Sequence, residues 1–203
     1  MERRTLLRIG IQFATVAALP KALSAQNSNL LIPALYLADT YIALPDAPSS
    51  VVIAGPDEPG ERLVVTGRVL DGMTPIPGVS IYAFHADMKG RYEREGMQRG
   101  LDPRLYGAMR SDVSGHYRYE TIRPGYYGGA DNPSHVHYVV NAPGYKPRLV
   151  DLRFEDDPVI AVRRKRGIAD DDGFEPGKMV VRPVERDASG VWHVTRDLDM
   201  IRE

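Results

Sequence analysis

From Arg62 onward the chain is built of short runs in which apolar and polar residues alternate. Leu63-Val64-Val65-Thr66-Gly67-Arg68-Val69-Leu70 has the period of two expected of a strand with one buried face. Val79 to Ala83 predicts a second strand, with Val79, Ile81 and Ala83 sharing a face. Tyr117–Ile122, Val136–Asn141 and Leu149–Phe154 predict three more. Met179–Val184 and Val191–Thr195 read as a C-terminal hairpin around Ala188-Ser189-Gly190. Asp71-Gly72, Pro75-Ile76-Pro77-Gly78 and Pro124-Gly125 are turns. Gly90 to Met109 is a long irregular stretch, and Ala169 to Gly177 is an acidic loop. No long amphipathic helix and no repeat interrupts this pattern. The expectation is an all-β fold, a β-sandwich core with long loops at one end, where long loops are usually functional.

The chain before this region divides in two. Residues 26–60 form an irregular N-terminal arm, because Pro33, Pro45, Pro48, Pro56 and Pro59 prevent one regular element. Residues 1–25 read as a signal peptide of the twin-arginine type. Arg3-Arg4 precede an apolar stretch from Ile9 to Leu19, and Ala22-Leu23-Ser24-Ala25 offers small residues for cleavage. The alternative is an N-terminal membrane anchor, since Pro20-Lys21 interrupt the run, but the apolar stretch is too short to span a bilayer. The expectation is an exported, periplasmic protein with no membrane span after signal removal, its folded domain covering 61–203.

Composition narrows the chemistry. The 203 residues carry a formal net charge of −1 and include eleven Tyr, five His and no Cys. Residues 1–25 hold a net +3, so the remainder is mildly acidic at −4. Nucleic acid is therefore a poor partner. Disulfides, thiolate metal sites and Cys nucleophiles are excluded. A metal site would have to use His, Tyr, Asp or Glu.

The strongest local signal is Ser134-His135-Val136-His137-Tyr138. On a strand, His135 and His137 present two imidazoles to one side, a common way to chelate a transition metal. In isolation the pair is as readily two polar residues on a solvated face. Two tyrosine-bearing loops give it context: His85-Ala86-Asp87-Met88-Lys89-Gly90-Arg91-Tyr92, and Thr121-Ile122-Arg123-Pro124-Gly125-Tyr126-Tyr127. A phenolate is a hard, anionic oxygen ligand suited to Fe(III), whose charge would pull the phenol pKa far below its usual value of about 10.

A set of motifs recurs in order: Val69-Leu70-Asp71, Pro75-Ile76-Pro77-Gly78, Phe84-His85-Ala86-Asp87, Gly90-Arg91-Tyr92, Ser111-Asp112 with Gly115 and Tyr117, Thr121 to Tyr127, His135-Val136-His137 and Phe154-Glu155-Asp156-Asp157-Pro158. Together they resemble the intradiol ring-cleaving dioxygenases, the group that contains protocatechuate 3,4-dioxygenase and catechol 1,2-dioxygenase. The resemblance implies a mononuclear non-haem Fe(III) cofactor held by Tyr92, Tyr127, His135 and His137. It implies a small aromatic diol and O₂ as partners, and a muconate-type diacid as product. Tyr127 would leave the metal when the diol chelates it, acting as a base for a phenolic proton. Tyr126 would be a neighbour on the wall of the substrate pocket.

The chain departs from the family at two positions. The Arg usual three residues before the first His is Asn132 here, and the Gln usual before the Phe-x-x-Asp-Pro stretch aligns with Asp151. Both are assigned to the catalytic surroundings. Arg110, Arg123 or Arg148 could supply the missing charge, with Arg110 placed in the substrate site. His85 reads as structural, and His116 and His193 as surface residues. Asp156-Asp157 reads as a turn cap before Pro158, and Arg163-Arg164-Lys165-Arg166 as solvated. The alternatives are a non-catalytic transthyretin-like binding module, a variant metalloenzyme with altered surroundings, and a zinc hydrolase using His135 and His137. The last lacks any third-ligand spacing such as His-Glu-x-x-His.

Overall fold

The computed structural model describes residues 41–92, 103–126, 132–168 and 179–203. The signal-peptide expectation for 1–25 lies outside them. Among the described residues, no helix is long and apolar enough to cross a membrane.

Two mixed sheets pack face to face. The first is ordered β1 (Ser50–Val52), β6 (His116–Ile122), β2 (Arg62–Asp71), β11 (Trp192–Thr195), β10 (Glu185–Arg186), with β3 (Thr74–Pro75) and β12 (Leu198–Asp199) also pairing with β2. The second is ordered β5 (Leu105–Arg110), β4 (Ser80–His85), β7 (His135–Asn141), β8 (Arg148–Phe154), β9 (Met179–Arg182). Alternate residues meet between them: Leu63, Val65 and Val69 from β2, Ile81 and Ala83 from β4, Val136, Tyr138 and Val140 from β7, and Val150, Leu152 and Phe154 from β8. This is the expected β-sandwich.

Three elements differ from the sequence reading. Leu105–Arg110 is a strand inside the stretch taken as irregular. Gly107 hides it, since this inward position has no side chain: a Cβ there would lie 2.8 Å from the side chains of Val51 and Ile53. The C-terminal hairpin is formed by β10 and β11, whereas β9 runs parallel to β8 in the other sheet. Pro183 separates β9 from β10 at the point where the chain changes sheets. A short helix, α1 (Pro158–Lys165), links β8 to β9. Pro158 begins it, the Asp157 side chain caps it by accepting from the Val159 amide, and Arg163, Arg164 and Lys165 fill its last turn, where cations favour the helix dipole.

Candidate metal centre

Strand β7 is central in the second sheet, so its even and odd residues meet different surroundings. Val136 and Tyr138 point into the sandwich, and His135 and His137 share the opposite face. Strand register sets what lies beside them. His137 pairs with Phe84 on β4 and Asp151 on β8, and Phe84 pairs in turn with Tyr106 on β5. One transverse row of the sheet thus carries Tyr106, Phe84, His137 and Asp151. Phe84 is fully buried, and its ring centroid lies 4.9 Å from that of His137.

Both imidazoles are oriented through Nδ1. His135 places Nδ1 2.8 Å from the Pro133 carbonyl, and His137 places Nδ1 2.6 Å from Asp151 Oδ1. A carbonyl and a carboxylate are acceptors, so each ring donates its Nδ1–H and leaves the Nε2 lone pair exposed. Those two Nε2 atoms face each other at 3.0 Å. Ser134 fixes the entry to the strand, donating both its amide (2.9 Å) and its hydroxyl (2.8 Å) to Asp157 Oδ2.

Tyr92 arrives from the connection after β4, and Asp87 organises that connection. Its carboxylate accepts from the Lys89 amide (2.8 Å), the Arg91 amide (3.0 Å) and Arg91 Nε (3.0 Å). Burial opposes the charge on Asp87, but these bonds outweigh it and hold the carboxyl below its usual range. The Asp87 carbonyl accepts from the Gly125 amide at 2.9 Å, which ties this connection to the one after β6. On its other side, the Arg104 amide donates to the Tyr92 carbonyl at 2.8 Å. The Arg104 guanidinium is bidentate on Glu58, at 2.6 and 2.7 Å, and lies 3.6 Å from Asp87. The Tyr92 hydroxyl ends 3.5 Å from His135 Nε2.

Two nitrogen lone pairs aimed at each other repel unless a cation lies between them. Ligand atoms about 2.1 Å from one ion, at an angle near 90°, lie about 3.0 Å apart. The observed Nε2–Nε2 separation of 3.0 Å fits a shared metal ion, and Tyr92 supplies a third donor. Among the described residues, no three of His, Cys, Asp and Glu converge as a metal-binding group. The donor set is therefore two imidazoles and a phenol, a combination that suits Fe(III). Burial, reinforced by the nearby His137, lowers the His135 pKa to about 4, so the ring is neutral at physiological pH. Burial also works against ionisation of Asp151, but the adjacent His137 prevails and keeps this carboxyl below its usual range.

Three phenols of the main core have a different environment. Tyr117, Tyr119 and Tyr138 lie inside the sandwich, where burial raises their pKa values well above the usual one. Tyr119 and Tyr138 share a 2.5 Å hydroxyl contact. These three are core residues.

A family model for dioxygenases matches residues 38–169, well over half the chain. The chain is 38% identical over 113 residues to the protocatechuate 3,4-dioxygenase beta chain of Burkholderia cepacia, covering 50% of this chain and 48% of that protein. The chain belongs to the intradiol dioxygenase family. Hydroxyquinol 1,2-dioxygenase of Rhizobium sp. (strain MTP-10005) is 30% identical over 159 residues, 69% of this chain and 51% of its own length. This intradiol dioxygenase family member thus spans about half the length of the curated relatives it matches. Among solved structures, the dioxygenase domain of a dioxygenase carbohydrate-binding protein fusion from Streptomyces sp. SirexAA-E superposes with a TM-score of 0.58 at 25% identity. That superposition covers 82% of this chain and 96% of that one. Intradiol dioxygenases use non-haem Fe(III), which agrees with the donor chemistry described above.

Within this family member, the structure brings Tyr92, His135 and His137 together and adds Asp151 beside them. Tyr127 lies outside the described residues. Asn132 is half-buried in the segment that enters β7. Tyr126 is half exposed and lines a cleft with Met88, Pro124, Ser134, Asp156, Asp157 and Trp192. Burial, together with the Asp157 carboxylate, raises its pKa.

The structure places Arg110, expected in the substrate site, apart from His135 and His137. Arg110 pairs with Ser80, at the end of β4 opposite His85. Its guanidinium donates to the carbonyls of Ala43, Leu44 and Gly78 at 2.6–2.8 Å, which fastens the N-terminal arm. Arg148 is likewise at the far end, opposite Val140, and bonds the Asp199 carbonyl. Arg123 is bidentate on Asp156 and lies over the rings of Phe154 and Trp192.

His85 is structural, as the sequence suggests: fully buried, it donates Nδ1–H to the Ala86 carbonyl (2.7 Å) and accepts from the Thr121 hydroxyl (2.6 Å). Sequence reasoning assigned no task to Glu58, Arg104 or the Asp87 side chain. Asp87 lies within a quoted motif, but nothing local marks Glu58 and Arg104 as its neighbours.

Proposed function

We propose that this chain is a non-haem Fe(III) intradiol dioxygenase, which inserts both atoms of O₂ into a catechol-type aromatic diol. The bond between the two hydroxyl-bearing carbons breaks, each of these carbons gains one oxygen atom, and a muconate-type diacid results. The ring supplies all four electrons, so no external reductant is required. The observation that carries this reading is the convergence of His135 Nε2, His137 Nε2 and the Tyr92 hydroxyl in a member of this family.

Tyr92, His135 and His137 would hold the iron, with Tyr127 as the fourth protein ligand that the family resemblance implies. Bound Fe(III) would supply the Lewis acidity that keeps the diol doubly deprotonated and opens the ring to O₂. The chain's own residues prepare this. The Pro133 carbonyl and Asp151 fix both Nε2 lone pairs toward one point. Phe84 packs beneath His137 and Tyr92 and keeps water from that side. Tyr127 would take a phenolic proton as the diol binds. The substrate class follows the relatives, whose names specify protocatechuate, hydroxyquinol and catechol.

The test is a visible spectrum of the iron-loaded protein, before and after anaerobic addition of catechol, followed by product analysis in O₂. A phenolate-to-iron band that shifts with catechol, and a ring-opened diacid in O₂, are expected. A colourless protein carrying stoichiometric iron would overturn the tyrosine ligands. We also propose export to the periplasm, on the strength of Arg3-Arg4 and the apolar Ile9–Leu19 segment. N-terminal sequencing of the protein recovered from the periplasm should begin near residue 26, and retention of Met1 in the cytoplasm would refute export.

A further inference from the structure

We propose that Asp151 is the positioning residue for His137, a buried carboxylate that fixes this imidazole in its Nδ1–H form and makes it the stronger nitrogen donor of the pair. The inference rests on the reading of His137 as a metal ligand. The two imidazoles are supported unequally. His135 donates to a neutral backbone carbonyl at 2.8 Å, while His137 donates to a carboxylate oxygen at 2.6 Å. A hydrogen bond to an anionic acceptor is roughly twice as strong as one to a neutral acceptor. It also pushes electron density through the ring toward Nε2.

The arrangement is built into the sheet. Asp151 stands directly opposite His137 in the β7–β8 register and is 6% exposed. It is held from both sides of its own strand, since Val150 and Leu152 are anchored in the core. The same residue pairs with Met179 on β9, so β8 is an interior strand that cannot swing away from β7. A carboxylate buried at this position has His137 Nδ1 within 2.6 Å, and its exclusion from water keeps that bond from being replaced by a solvent contact. Loss of such a carboxylate typically costs about 10–100-fold in metal affinity.

The substitution that tests this is Asp151→Asn, which keeps shape and a hydrogen-bond acceptor but removes the charge. In the iron-loaded protein, the variant should retain the phenolate-to-iron band, moved to longer wavelength because the iron becomes more electron-poor. It should also release iron to a chelator about 10–100-fold faster than the wild type. An unchanged band with an unchanged release rate would overturn the proposal.

A second measurement uses the wild-type protein loaded with Zn(II) and ¹⁵N-labelled at histidine, and requires neither colour nor a variant. NMR should show His137 protonated at Nδ1, with a strongly deshielded proton, and metallated at Nε2. Metal on Nδ1, or an Nδ1–H with an ordinary shift, would refute the role of Asp151 even if the variant fails to fold. The expected NMR result beside a colourless iron protein would leave the Asp151 inference standing and defeat the iron–tyrosinate reading.

Discussion

Gly125 lies so close to Met88 that a Cβ at position 125 would fall 2.3 Å from the Met88 carbonyl oxygen. This contact joins the connection that carries Tyr92 to the one that leads on in sequence toward Tyr127. Two segments more than thirty residues apart in sequence are thereby packed backbone to backbone. Gly125→Ala should force the two connections apart. We expect a cost of about 1–3 kcal/mol, which for a domain of this size lowers Tm by about 2–10 °C. The phenolate-to-iron band should weaken with it, and calorimetry with a visible spectrum checks both.

Tyr92→Phe removes the hydroxyl while keeping the ring that packs on Phe84. Thermal stability should change by less than about 1 kcal/mol, but the intensity of the visible band should fall by about half and turnover by at least about 100-fold. A fully coloured, active variant would remove Tyr92 from the ligand set.

Arg104 binds Glu58 through two bonds and steadies the Tyr92 carbonyl through its own amide. Arg104→Met leaves Glu58 without its bidentate partner in a partly buried setting. A loss of about 1–3 kcal/mol is expected, together with faster release of iron to a chelator. Glu58→Gln should show the same loss in weaker form, and urea titrations of the two variants provide the comparison.

Arg110→Ala should detach the N-terminal arm without touching Tyr92, His135 or His137. The expected result is a stability loss of about 1–2 kcal/mol with KM for catechol unchanged within about twofold. A KM rise of tenfold or more would return Arg110 to the substrate site.

Acid should destabilise the metal-free protein over a defined window. The buried His85 has a folded pKa of about 4 against a reference of 6.5, because burial penalises its charged form. Between those values the unfolded chain binds more protons than the folded one, so stability falls as the pH drops from 6.5 toward 4 and is complete above 6.5. His135 acts in the same direction in the same window. Urea midpoints measured from pH 7.5 to 4 should show this slope, and His85→Gln should flatten part of it.

Much of this was legible in the sequence, for physical reasons particular to each residue. The period-two pattern marks β2 and β7 because each buries one face, and it places His135 and His137 together without any tertiary information. Tyr92 was legible only as part of an ordered motif set, since a tyrosine in a loop has no period. Strand β5 was lost because Gly107 removes an apolar residue at the position where Val51 and Ile53 press in. The parallel pairing of β9 was unreadable, because strand direction depends on α1 and not on the pattern of Met179–Arg182. The position of Arg110 was not legible, because charge alone does not say which end of a strand a guanidinium occupies.

Asp157 divides its carboxylate between two tasks. One oxygen caps α1 through the Val159 amide, and the other receives both the amide and the hydroxyl of Ser134, immediately before His135. Helix and histidine strand therefore close on the same atom group. Without α1 docked, Ser134 loses this hold, so the cap of the helix and the entry to the histidine strand are secured together.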